Sequence, residues 1–121
     1  MTRQIWVADA PVNYGVFELG GDKGGRTPDG EECATFVQRA GYDGVDLGPV
    51  GFFGRGADLQ DRLRRHGLSL AGGWLDLPFW DDDAFALAAD DLDDIIANFL
   101  EGAAVTPDRP PRPTLASSSS P

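Results

Sequence analysis

The stretch TPDGEECATFVQRAGYDGVDLGP, residues 27–49, decides how the chain is read. It opens with helix punctuation: Thr27 suits the N-cap, Pro28 the first helical position, and Asp29, Glu31 and Glu32 the positive end of the dipole. Cys33, Phe36, Val37 and Ala40 then recur at helical spacing and form one buried stripe. Gly41 ends the helix as a left-handed residue. Val45 and Leu47 follow as a short apolar strand that stops at Gly48 and Pro49. A capped helix over Pro28–Ala40 leading straight into a strand is the signature of a βα repeat.

The same alternation extends in both directions. Upstream, IWVA (Ile5–Ala8) reads as a buried strand, followed by the flexible glycine loop GGDKGG at residues 20–25. Downstream, a helix is predicted over Asp58–His66, with Leu59 and Leu63 inward and Gly67 as its stop. LSLAGGW, residues 68–74, is a third strand. A longer helix is predicted over Asp83–Leu100, where Phe85, Ala88, Leu92, Ile95, Ile96 and Phe99 keep the helical period. Strands that alternate with helices predict an α/β fold with a parallel sheet, a βαβαβα unit. Residues 1–106 carry this pattern. Residues 107–121 are rich in Pro and Ser, and RPTLASS within them reads either as a fourth strand or as part of a disordered tail.

Composition narrows the partners. Twenty acidic against ten basic residues give a formal charge of −10, which makes nucleic acid and anionic membrane repulsive surfaces. From Asp76 to Glu101 every ionised side chain is acidic, which is the pattern of a solvated helix face and lacks the ligand spacing of an EF-hand loop. No apolar run reaches the roughly 18 residues of a membrane span. One cysteine, Cys33, excludes an internal disulfide framework and fits a reducing cytoplasm. On the packing stripe it reads as a small buried hydrophobe.

Chemistry in parallel α/β folds gathers at the carboxyl ends of the strands. That rule selects Asn13, Tyr14 and Glu18 after the first strand, Asp46 in the second, and Trp74 and Asp76 after the third. Gly72 and Gly73 suit a close backbone or ligand approach. His66, at the end of the second helix and before the third strand, falls at the opposite end, where the helix dipole accounts for it. With one His and one Cys there is no zinc cluster of the Cys/His type, and no P-loop or nucleophile elbow is present.

Three segments together, IWVADAPVNYGVFE (5–18), AGYDGVDLGPVGFFG (40–54) and LRRHGLSLAGGWLDLPF (63–79), resemble the opening of the xylose-isomerase-like TIM barrels. These are the sugar phosphate isomerases and epimerases, and the inosose dehydratase branch is the most similar. That branch ends its second strand in Glu-Leu-Gly-Pro; here the motif is DLGP, with Asp46 in the glutamate's place. The resemblance implies an incomplete TIM barrel, since eight βα units take ~250 residues. It implies a sugar or cyclitol as ligand, with Asn13, Tyr14, Asp46 and Trp74 binding it. The family's divalent metal, manganese or magnesium, is held by residues of later strands. The chain therefore inherits no metal ligand and no catalytic residue, and alone it is expected to be inactive. Should metal chemistry occur, Glu18, Asp46 and Asp76 are the groups to search. The alternative is a small non-catalytic α/β binding module. A part-barrel is also expected to self-associate through open sheet edges and to leave Trp6, Val45, Leu47 and Leu70 partly wet.

Overall fold

The computed structural model describes residues 4–16 and 26–118. Glu18 and the glycine loop lie outside the described residues. Four strands, β1 (Ala8–Asp9), β2 (Gly44–Asp46), β3 (Ser69–Leu77) and β4 (Arg112–Ser117), form one sheet in the order β1-β2-β3-β4. Every pairing is parallel. The crossovers are α1 (Gly30–Arg39), α2 (Gly56–Arg65), and the pair α3 (Asp82–Ala89) and α4 (Leu92–Ala103). Consecutive strand order with crossovers of constant hand places all helices on one face. This is the arrangement of a barrel wall, so the fold is the α/β unit expected, and RPTLAS is its fourth strand.

The core lies between sheet and helices. Val45, Leu47 and Leu70 point from the strands into it and meet Cys33 and Val37 of α1, Leu59 and Leu63 of α2, and Phe99 of α4. Val45, Leu47 and Leu70 are fully buried, contrary to the expectation that they would be partly wet. The reason is directional: alternate strand residues face the helices, and the helices are present. Of that group only Trp6 is exposed, at 47%.

Asp29 caps α1, its Oδ1 accepting the Glu32 N–H at 2.8 Å, so the helix begins later than a Thr27 cap implies. Asp is at least as good a cap as Thr, and Glu32 sits at the third helical position in the usual acidic first turn. Gly41 and Gly67 stop α1 and α2 with φ of +87° and +62°, as read from the sequence. Phe36 departs from the α1 stripe: it is half-exposed and stacks on Tyr14, ring centroids 5.8 Å apart.

Two further expectations, on the extent of elements, fail. The first strand is only Ala8–Asp9, and Ile5, Trp6 and Val7 are exposed rather than buried. They lie on the outer edge of the sheet, anchored by Val7 N–H to Asp43 Oδ2 at 2.9 Å and Asp43 N–H to Val7 O at 2.8 Å. The single helix over Asp83–Leu100 is two. Asp90 and Asp91 break it, their N–H groups reaching back three residues to Leu87 and Ala88. Asp90, Asp91, Asp93 and Asp94 crowd four like charges into about one turn of a residue type with poor helix propensity. α3 consequently buries no residue, and its Phe85 packs on Phe79. α4 does reach the core, through Phe99, Asn98 and Gly102.

Candidate functional site

Asp9, at the end of β1, organises the first strand-to-helix loop. It is 7% exposed and is paired in register with Val45. Its Oδ1 accepts the Ala10 N–H at 2.8 Å and the Asn13 Nδ2–H at 2.5 Å, and its Oδ2 accepts the Tyr14 hydroxyl at 2.6 Å. The residues between form a 3-10 turn, Pro11–Tyr14, closed by Gly15 in the left-handed conformation. Burial pushes the Asp9 carboxyl up, but the hydrogen bonds from Tyr14, Asn13 and Ala10 outweigh it and hold the carboxyl below its ordinary range. Burial and the same carboxylate push the Tyr14 hydroxyl well above its ordinary value. Asn13 and Tyr14 are thus fasteners of the loop, each donating its proton inward. The sequence reading missed Asp9; its signal was an acidic residue at a strand end with amide and phenol donors one turn later.

Asp46 and Trp74 stand elsewhere, on the sheet face without helices. Val45 and Leu47 point to the core, so Asp46 between them points the other way. Asp46 is in register with Gly72, and a Cβ on Gly72 would lie 3.4 Å from Asp46 Oδ1 and 2.6 Å from the Arg112 carbonyl oxygen of β4. Gly72 therefore permits both the carboxylate and the neighbouring backbone to come close. Gly73 points to the opposite face, where a Cβ would strike Phe99 Cζ at 2.7 Å. Trp74 and Asp76 share the face of Gly72, with Thr114 and Ala116 beside them in register and Arg112 beside Gly72. Trp74 and Asp76 lie within β3 rather than after it, because the strand runs on to Leu77. Trp74 is half-exposed. It lies roughly 7 Å further along the strand than Gly72. Burial pushes the Asp46 carboxyl up, as expected for a group held away from water without a compensating cation.

The face so formed carries two carboxylates, a hydroxyl, a guanidinium and an indole plane. It is suited to a ligand with several hydroxyls and an apolar ring face. Asp46 and Asp76 are its two carboxylates, and among the described residues no group of three or more His, Cys, Asp or Glu is placed to hold a metal ion. Glu18 lies outside the described residues.

At the other end of the strands His66 is buried, its Nδ1 2.7 Å from Gln38 Oε1 and its Nε2 2.8 Å from Glu31 Oε1. Glu31 also receives Arg62 Nε at 2.9 Å and Arg65 Nη1 at 2.8 Å. Arg65, Arg62 and His66 hold its carboxyl far below the usual range. This network ties α2 to α1, a more specific role than the helix dipole. Cys33 is fully buried, and burial pushes its thiol up to about 11. It is a packing residue, as expected.

No family model, curated protein or solved structure matches the chain. No helix among the described residues is long and apolar enough to cross a membrane.

Proposed function

We propose that the helix-free face of the sheet, at the carboxyl ends of β2–β4, is one wall of a sugar- or cyclitol-binding site in a barrel of the sugar phosphate isomerase, epimerase or inosose dehydratase kind. The observation that supports this most is the half-exposed Trp74 on the same face as Asp46 and Asp76. An indole plane takes the C–H face of a sugar ring while carboxylates accept from its hydroxyls, the division of labour of a pocket with few, placed polar groups. In this reading the chain is the N-terminal portion of the barrel and acts in the cytoplasm. Further βα units, from its own continuation or another chain, would pair with the free edges of β1 and β4 and bring the divalent metal with them. The same edges are the route for self-association.

The second reading is binding without turnover. It is favoured by the lack of a third metal-ligating group beside Asp46 and Asp76 among the described residues. Calorimetric titration with fructose and with myo-inositol tests the shared part of both readings. Binding near 1 mM, about −4 kcal/mol, is expected, and it should be lost in Trp74→Ala. No heat of binding, or equal binding by the variant, would sink the assignment of this face. Incubation of fructose or of an inosose, each with a C–H next to a carbonyl, in heavy water with added manganese separates the two readings. Proton exchange should be absent from the chain alone and appear when the missing units are supplied. Continued absence would favour the binding module.

A further inference from the structure

Three buried side-chain polar atoms among the described residues have no hydrogen-bond partner, and all three belong to one turn: Thr106 Oγ1, Arg109 Nε and Arg109 Nη1. The turn is closed by the Arg109 N–H donating to Thr106 O at 2.9 Å, and it delivers the chain into β4. The guanidinium lies over the Trp6 indole, Cζ 3.5 Å from the ring centroid. Beside it opens a cleft of about 460 Å³, lined among others by Trp6, Ser69, Ala71, Asp108, Arg109 and Arg112. These residues precede or begin their strands, so the cleft lies toward the amino-terminal end of the sheet, next to the Gly72–Arg112 pair that also borders Asp46.

Arg109 is part-buried, but burying its Nε and Nη1 without an acceptor is costly, and native structures rarely leave such donors unmade. Arg109 forms no ion pair among the described residues. Arg112 is a second cation on the same wall, and the chain as a whole has twice as many acids as bases. On this wall two arginines face one acid, Asp108, the reverse of the balance in the chain as a whole. The planar fork of arginine matches the oxygen spacing of carboxylate and phosphate groups.

We propose that this cleft binds a small oxyanion, a phosphate or carboxylate group, between Arg109 and Arg112. Trp6 holds the guanidinium plane in place by stacking. The segment that carries Trp6 is anchored to its neighbour through Val7 and Asp43, which fixes the indole beside the guanidinium. Asp108 on the rim offsets one of the two positive charges, so a singly charged group is preferred over a highly charged one. The cleft adjoins the proposed sugar face and shares Arg112 with it, but Arg109 and Trp6 belong to the cleft alone, so a response at those two residues separates oxyanion binding from sugar binding.

The test is an NMR titration of the arginine Nε–H signals of the full chain, with sodium phosphate and sodium acetate in separate arms at constant ionic strength. A saturable shift of the Arg109 signal is expected in at least one arm, with the arm that saturates telling phosphate from carboxylate. Arg112→Gln should weaken the apparent constant at least tenfold, and Arg109→Gln should abolish the response seen at the neighbouring Trp6 indole N–H. Arg112 is exposed, so its variant keeps the fold and carries the test even where Arg109→Gln does not. A linear, non-saturating shift in both arms, or an unchanged constant in Arg112→Gln, would overturn the proposal.

Discussion

Replacing Asn98 by alanine should cost the fold more than any other single polar substitution on α4. Asn98 is 1% exposed, on the buried side of the helix. Its Oδ1 accepts the Gly51 N–H at 3.1 Å, and its Nδ2 donates to Gly54 O at 3.1 Å and to Glu101 Oε2 at 3.0 Å. One side chain thereby satisfies both backbone ends of the turn after β2 and pins that turn to α4. Alanine would leave the Gly51 N–H and Gly54 carbonyl without partners, and each unmade buried bond costs about 1–3 kcal/mol. Allowing for partial access of water to the turn, the expected loss is about 2–4 kcal/mol. That is a large share of the roughly 5–15 kcal/mol that stabilises a domain. In urea, where m for small proteins is about 1–3 kcal/mol/M, the midpoint should fall by about 1–2 M with m unchanged. Glu101→Ala removes only the third bond and leaves the turn satisfied, so its loss should stay near 0.5 kcal/mol, roughly the size of a surface change. Equal midpoints for the two variants would refute the reasoning.

Further outcomes follow from other contacts. Asp9 has a folded pKa below its unfolded value near 3.9, so its stabilisation is present above that pH and disappears as pH falls through the folded value. Asp9→Asn should lower stability at pH 7 by about 1–3 kcal/mol and flatten the acid limb of a stability-versus-pH curve; an unchanged acid limb would contradict the loop cluster. Gly102→Ala should destabilise by about 1–3 kcal/mol despite a better helix propensity, because the new Cβ would strike Leu70 Cδ2 and lie 3.0 Å from Leu70 Cβ. A stabilised variant in thermal melting would show that α4 does not press on β3 there. Cys33, with its thiol raised to about 11 and no solvent exposure, should resist a thiol reagent at pH 8 in the folded chain and react on unfolding. Prompt reaction in the native state would contradict its burial.

The parts of this fold that obey local rules were legible in the sequence. Gly41 and Gly67 stop their helices, Leu59 and Leu63 face inward, and strand, helix and strand alternate, because caps and periodicity act over a few residues. What depended on distant partners was not. Trp6 and Val7 have strand-like composition, yet they lie at the sheet's edge, where no following strand or helix covers them. Asp90 and Asp91 interrupt a helix whose apolar spacing runs straight through them, because local charge crowding outweighs the pattern. The candidate site divides in the same way. Asp46 was identifiable from its place at a strand end, and register alone put Trp74 on the same face. Asn13 and Tyr14 were read as ligand-binding residues of the first loop; their bonds to Asp9 depend on its burial beneath the loop, which no spacing rule reveals.

The central claim is that the helix-free face at the carboxyl ends of β2–β4 is a polyol-binding surface. Backbone amide NMR of the chain during titration with myo-inositol and with fructose tests it most directly. Saturable shifts are predicted at Asp46, Gly72, Trp74, Asp76 and Thr114, which share that face, with Leu59 and Leu63 on the helix side unmoved. Absence of saturation, or shifts centred on the helix side, would contradict it.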